Sequence, residues 1–375
     1  MRASPASWRP EVTVQLDLPT TREEAWRWSD LSALPALAAN PALVRTDREL
    51  PWLDCGGDAP RLLFVDGKLD EAASRLGPIR MGAVETRTPD HPLARHASGT
   101  GWSLKLGREH SPPGLVQIVH VSSGAADHLP AEIELDVDAQ ASIVETFVGG
   151  GWANRATRFT LFSGARLMLA RRLTGTSGFA SITDCATIGE GASLTLTTLA
   201  AGGTDTRLDT QIEIKGEGAY AEAGGALLAR GKQRHDANFV LSHQALNGTS
   251  RQLWRSVADD KAVCSVAARV EVARAAQKTD GEQSLKGLLL ARTATINAKP
   301  ELEIFADDVK CAHGATVGEL DRNALFYLAS RGVAPAEAKT LLTRAFVADA
   351  IDRIGEEAVR EAFHAEAMAW LGGSL

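Results

Sequence analysis

The feature that most narrows the fold of this chain is a recurring corner: a small or polar turn residue, an alanine, then an alternating segment. It occurs at Gln140-Ala141-Ser142-Ile143-Val144, Gly164-Ala165-Arg166-Leu167, Gly191-Ala192-Ser193-Leu194 and Gly218-Ala219-Tyr220-Ala221. The corner alanines Ala141, Ala165, Ala192 and Ala219 are 24, 27 and 27 residues apart. A loose period of this size is what a solenoid produces, each coil supplying short strands and a turn. Glycine at the corner permits positive φ, and alanine fits the tight bend. Between corners, Ala131–Val137 and Ser193–Thr197 alternate with period two, the pattern of strands with one buried face. An antiparallel sandwich with glycine-rich turns would share these local signals, so the repeat alone leaves both architectures open. This β region is expected to occupy residues 76–317.

The flanks read differently. Residues 1–75 are expected to be largely helical. Pro19-Thr20-Thr21-Arg22-Glu23-Glu24 has the capping threonine and early carboxylates of a helix start, followed by Trp26, Trp28 and Leu31. Leu34 to Leu43 suggests a second helix, and Leu62-Leu63-Phe64-Val65 before Asp66-Gly67 a strand entering a turn. Residues 318–375 are helical: Asp321 caps a helix that stops near Arg331-Gly332, and Pro335 suits the first turn of the next. In that last helix Leu341, Leu342, Ala345, Phe346, Ile351 and Ile354 occupy more than one stripe. Either both faces pack within the chain or one meets a partner.

Composition removes several functional classes. A formal net charge of -7 with no basic stripe argues against a nucleic-acid backbone as partner. No run of about 18 apolar residues is present, so no transmembrane helix is expected. With no signal-peptide core at the N-terminus and Cys55, Cys185, Cys264 and Cys311 far apart, reduced thiols in the cytoplasm are expected. The nearest approach to a phosphate loop, Gly225 to Gly231-Lys232-Gln233, has one residue too many and lacks the magnesium-binding hydroxyl. Neither GxGxxG after a strand, GxSxG nor HExxH occurs. His235 and His243 stand in strand-like sequence without nearby cysteines or a dense carboxylate cluster, as core or surface histidines do.

One constellation carries chemistry: Glu301-Leu302-Glu303-Ile304-Phe305-Ala306-Asp307-Asp308-Val309-Lys310-Cys311-Ala312-His313-Gly314. If the strand alternation of Leu302 and Ile304 resumes, Val309, Cys311 and His313 share one face. Thiolate and imidazole side by side suit soft or borderline metals. Two ligands do not close a site, since structural zinc and iron–sulfur centres usually take four. The pair is therefore a half-site completed across a subunit interface, a structural Cys beside a polar His, or a dyad lacking an assignable orienting group.

The run Asp307-Asp308-Val309-Lys310-Cys311-Ala312-His313-Gly314-Ala315-Thr316-Val317-Gly318-Glu319-Leu320-Asp321 closely resembles the signature of the SufB/SufD family, in its SufD form. The likeness continues through Ala324–Gly332 and Arg344–Ala348, and upstream through Gln277–Asp280, Gln283, Leu288–Leu290 and Lys299–Ile304. Trp26-Arg27-Trp28-Ser29-Asp30-Leu31 is similar to the family's N-terminal aromatic motif. The SufB form is usually longer, often with clustered cysteines in its N-terminal half, and lacks Cys-x-His-Gly-Ala-Thr-Val-Gly at this place.

The resemblance implies a mainly β fold, a right-handed parallel β-helix between N-terminal and C-terminal helical domains. It implies a non-catalytic scaffold subunit of an iron–sulfur cluster assembly complex. Its partners would be SufB, through the β-helix, and the ATPase SufC, through the C-terminal helices; isolated copies would form a homodimer. His313 is the first candidate for handling iron or a nascent cluster at the interface, and Cys311 the second. No tightly bound cofactor is expected, only transient iron or an iron–sulfur cluster, and no flavin fingerprint is visible. The alternatives are a SufB-type paralogue, a structural β-helix homodimer, and a carbohydrate-active β-helix enzyme. The last needs a carboxylate pair that adjacent Asp307 and Asp308, on opposite strand faces, do not supply.

Overall fold

The computed structural model describes residues 15–40, 50–86, 88, 90–175, 177–203 and 205–372. Among them, seventeen strands form a mainly parallel β-helix with helices at both ends. The first strands are β1 (Arg61–Val65), β2 (Lys68–Leu69), β3 (Ile79–Val84) and β4 (Gly99–Leu106); β2 and β3 pair antiparallel with β1 and β4 respectively. Two long strands follow, β5 (Val116–Leu135) and β6 (Gln140–Leu161). The later coils alternate between two sheets. One receives β7 (Arg166–Leu173), β9 (Ser193–Ala200), β11 (Tyr220–Ala229), β13 (Thr249–Ala258), β15 (Asp280–Leu289) and β17 (Lys310–Glu319). The other receives β8 (Phe179–Ile188), β10 (Asp205–Ile214), β12 (Arg234–His243), β14 (Val263–Val272) and β16 (Thr295–Ile304). β5 and β6 are long because each bends at a glycine of positive φ, Gly124 or Gly149 and Gly151, and serves both sheets.

Parallel pairing sets corresponding residues of successive coils one above another. Ala141, Leu167, Leu194 and Ala221 align in one column; Ile143, Leu169, Leu196 and Ala223 align in the next. All point into the core between the sheets and are buried. Each buried Leu or Ile contributes roughly 1.5–3 kcal/mol, and every coil adds another layer. Of the predicted corner alanines, Ala165, Ala192 and Ala219 are buried at corners, whereas Ala141 lies inside β6 in register with Leu167 and the corner of its coil is the buried Ala139. The residues before the first three, Gly164, Gly191 and Gly218, have φ of 68°, 59° and 67°. Their N–H groups donate along a ladder to the carbonyls of Glu190, Glu217 and Leu246. The same corner recurs with Asp138, Asn247 and Lys278 in the left-handed region, where no glycine marks it.

The N-terminal residues are less helical than their sequence suggests. Among the described residues there, only a three-residue turn, Glu24–Trp26, and α1 (Leu34–Ala39) are helical. The continuation expected to Leu43 falls outside the described residues. β1 pairs in parallel with β5, so the segment from Arg61 joins the sheet rather than a helical domain. Physically, Trp26, Leu31 and Leu34 do not need a long helix, because they dock on Trp152 and Phe179 of the solenoid's outer face. Arg207 stacks under Trp26, 4.3 Å from the ring centre, while its guanidinium binds Asp209 and Asp236.

The C-terminal helices follow their sequence signals. α2 (Arg322–Ser330) is capped by Asp321, whose carboxylate accepts the Asn323 N–H at 2.9 Å. α3 (Pro335–Ile351) starts on Pro335, and α4 (Glu357–Trp370) runs to Trp370. Val347, Ile351, Val359 and Phe363 pack on Val144, Ala170, Leu199 and Val257, on the outer face of the first sheet. Arg255–Asp349, Arg353–Glu222 and Arg172–Glu366 ion pairs pin the same contact. Of the two stripes read in α3, one is thus covered; Leu341 is exposed, as are Phe326 and Tyr327 on α2.

Candidate functional site

Cys311 and His313 lie on β17, the last rung of the first sheet. β17 pairs with β15, β16 pairs with β14, and neither has a second partner strand among the described residues. The solenoid therefore ends in two parallel strands with one free edge each, a row of unpaired N–H and C=O groups. Pro300 within β16 fits this position, since proline is confined to edge strands and bulges. Ile304, Phe305 and Val317 are exposed at this end.

The alternation predicted for Cys311 and His313 places both on the face that looks into the lumen. Cys311 stands in register with Gly281 and His313 with Gln283. A Cβ on Gly281 would lie 3.3 Å from Cys311 Sγ and 3.5 Å from Ser250 Oγ. Glycine there keeps open the space between thiol and hydroxyl, and Ser250 Oγ bonds His243 Nε2 at 2.9 Å one layer deeper. Burial pushes the Cys311 thiol above its ordinary pKa, the Asp280 charge adds to this, and a hydrogen bond with the Gly281 backbone opposes it. At neutral pH Cys311 is accordingly a protonated thiol, needing a metal or a cation from elsewhere to become a ligand. His313 is exposed.

The carboxylates upstream do not join the pair. Asp308 turns outward to an ion pair with Lys278 and takes the Gln277 carboxamide on its N–H at 2.9 Å. Asp307 is exposed on the same turn. Among the described residues no group of three or more His, Cys, Asp or Glu is arranged to hold a metal ion. Two donors on an open rung do not by themselves make a coordination set. The remaining histidines singled out in the sequence, His235 and His243, are buried in the lumen, where desolvation pushes each down to about 4. Gly225, part of the incomplete phosphate loop, lies inside β11 and not on a loop.

Sequence reading missed the polar lumen. Near the first coils, Arg171 is fully buried and binds Glu145 Oε2 at 2.6 Å and Asp184 at 3.0 Å. His120 is stacked between Phe147 and Phe64, with Glu145 3.4 Å from Nε2. At the open end, the column Ile143, Leu169, Leu196, Ala223 turns polar and continues as Gln252, Gln283 and His313. The Gln252–Gln283 separation of 31 residues is one coil, but a coil length that drifts along the chain hides such pairs from inspection.

Residues 119–346 match the family described as "SUF system FeS cluster assembly, SufBD core domain". The chain belongs to the SufBD family. It is 28% identical to the iron–sulfur cluster assembly protein SufD of Escherichia coli over 96% of this chain and 91% of that protein. A SufBD family protein of Synechocystis is 35% identical over 40% of this chain and 33% of its own length. SufD of Bacillus subtilis is 29% identical over 42% of this chain and 36% of its own. A SufD-type member of this family has a role in iron–sulfur cluster assembly, and the parallel β-helix expected from the resemblance is the fold observed.

Proposed function

We propose that this SufD-type chain is a scaffold subunit whose open solenoid end docks on the corresponding end of SufB. His313, with Cys311 beside it, supplies one half of a site where iron or a nascent cluster is held as substrate of the assembly. The observation that carries this reading is the coincidence of three features at one end of the solenoid: free strand edges, exposed apolar residues, and a two-donor pair on β17. Strand addition at such an edge satisfies the backbone of both chains, while side chains set the register. Of the two donors, His313 is the one available without prior deprotonation of a thiol. No nucleotide chemistry is assigned to this chain. ATP-driven motion would enter from SufC through the C-terminal helices, where Phe326, Tyr327 and Leu341 are exposed beside helices anchored to the solenoid. The same edge favours a homodimer when SufB is absent. Four unbridged cysteines suit the reducing cytoplasm.

The test is co-expression with SufB and SufC, anaerobic purification, and assay of iron and acid-labile sulfide in wild type and His313→Ala. A stable complex whose iron and sulfide fall at least several-fold in the variant is expected. Unchanged cluster content in an intact complex would remove His313 from the site and leave the chain a structural subunit.

A further inference from the structure

Two buried glutamines beneath His313 stand where the lower coils place leucine, isoleucine and alanine. Gln252 and Gln283 are 2% and 1% exposed. Burying a carboxamide in an apolar lumen is unfavourable unless its polar atoms are bonded. Gln283 Nε2 donates to Gln252 Oε1 at 2.7 Å and to the Ala268 carbonyl at 2.8 Å. A backbone carbonyl can only accept, so the amide end of Gln283 is held facing Ala268 and its oxygen faces away. Both amide hydrogens are then used. Gln283 Oε1 is buried and has no hydrogen-bond partner. It is a fixed acceptor waiting for a donor.

The next rung of that column is His313. Adjacent rungs are about 4.8 Å apart, within reach of a rotation of the imidazole. In the isolated chain the imidazole is exposed and water competes for its N–H. Covering the open edge removes that water.

We infer that Gln283 is a positioning residue for His313: its carboxamide oxygen accepts one imidazole N–H when the solenoid end is covered. This fixes the proton on the lumen-side nitrogen and turns the other, with its lone pair, toward the docked partner. Histidines that hold metals commonly donate their second N–H to such an acceptor, which sets tautomer and ring orientation. Gln252 holds Gln283, so the polar column is a two-residue strut behind the donor pair. The inference rests on the proposal that His313 binds iron.

The experiment uses the complex with SufB and SufC, titrated anaerobically with Fe(II) alone. Gln283→Met removes the acceptor at nearly constant volume. It is expected to weaken Fe(II) binding about 10–100-fold with the subunit ratio unchanged, and to lower the melting temperature slightly because the Gln252 oxygen and the Ala268 carbonyl lose their donor. Gln283→Glu, whose buried carboxyl is held protonated against the Ala268 carbonyl, keeps one donor and one oxygen acceptor and is expected to recover most of that loss, which a packing role would not. Wild-type Fe(II) affinity in Gln283→Met, together with loss in His313→Ala, overturns the inference and leaves the role of His313 standing. Wild-type affinity in His313→Ala overturns both. If the Met chain does not enter the complex, Gln283→Asn, whose oxygen is withdrawn by one methylene, is expected to show the same weakening; wild-type affinity there also overturns the inference.

Discussion

Acid should loosen this solenoid from the inside, and His120 offers the clearest way to see it. The ring is 1% exposed, 4.4 Å centre to centre from Phe147 and 5.5 Å from Phe64. Arg155 Nε donates to its Nδ1 at 3.3 Å, so the remaining proton sits on Nε2, facing Glu145. Burial, reinforced by the Arg155 charge, pushes the imidazole down from 6.5 to about 4, against the opposing pull of Glu145. Because the folded value is depressed, the unfolded chain binds the extra proton first. Stability from this group is therefore complete above pH 6.5 and is lost as pH falls toward 4. At about 1.4 kcal/mol per pH unit, the gap corresponds to about 3 kcal/mol. His120→Gln keeps an acceptor for Arg155 and a donor for Glu145 but does not titrate. Urea unfolding at pH 7, 6, 5 and 4.5 should show a midpoint that falls less steeply in the variant than in wild type. The half-buried His128 and the buried His235 and His243 are pushed down similarly and contribute to the common slope, so the difference between the two proteins is the diagnostic quantity. Parallel slopes would refute a buried, neutral His120.

Further outcomes concern packing and partners. Arg171→Ala leaves Glu145 and Asp184 buried without their cation and should cost about 3–5 kcal/mol in urea unfolding; a loss under about 1 kcal/mol would mean that water reaches the pair. Gly225 has φ 145°, and a Cβ there would lie 1.9 Å from the Thr198 carbonyl oxygen, so Gly225→Ala should destabilise by roughly 2–5 kcal/mol, read by the same unfolding. A wild-type midpoint in that variant would refute so close an approach of the coils. Phe326→Asp with Tyr327→Asp should leave the melting temperature within a few degrees, because both side chains are exposed, yet reduce SufC co-purification about tenfold or more. Unchanged SufC recovery would move that contact elsewhere.

Much of the solenoid was legible in one dimension because its corners repeat a local requirement. Gly164, Gly191 and Gly218 mark left-handed backbone, and buried alanines follow them. The later corners escaped notice because Asn247 and Lys278 adopt the same conformation without being glycine, supported by ladder bonds to Gln277 and Asp308. Helix starts at Asp321 and Pro335 were equally local and were read correctly. In the N-terminal segment the helix from Leu34 and the strand at Leu62–Val65 form as expected, but the helix expected after Pro19 is only a short turn, because Trp26 and Leu31 bury themselves by docking on distant strands.

The candidate pair shows the same division. That Cys311 and His313 share a face follows from the two-residue period of a strand, which is a property of the chain alone. Which face, and what stands behind it, depends on coils returning at intervals near 30 residues to place Gly281, Gln283, Gln252 and Ser250 beneath them. The sequence by itself specifies the corners, the strand alternation, the helix caps and the absence of familiar nucleotide and hydrolase motifs. Only the stacked structure makes β17 a terminal rung, buries Arg171 between two carboxylates, and leaves Gln283 with an unpartnered oxygen under His313. The physical reason is that turn and strand preferences are short-range, whereas burial and charge pairing arise once separate coils exclude water between them.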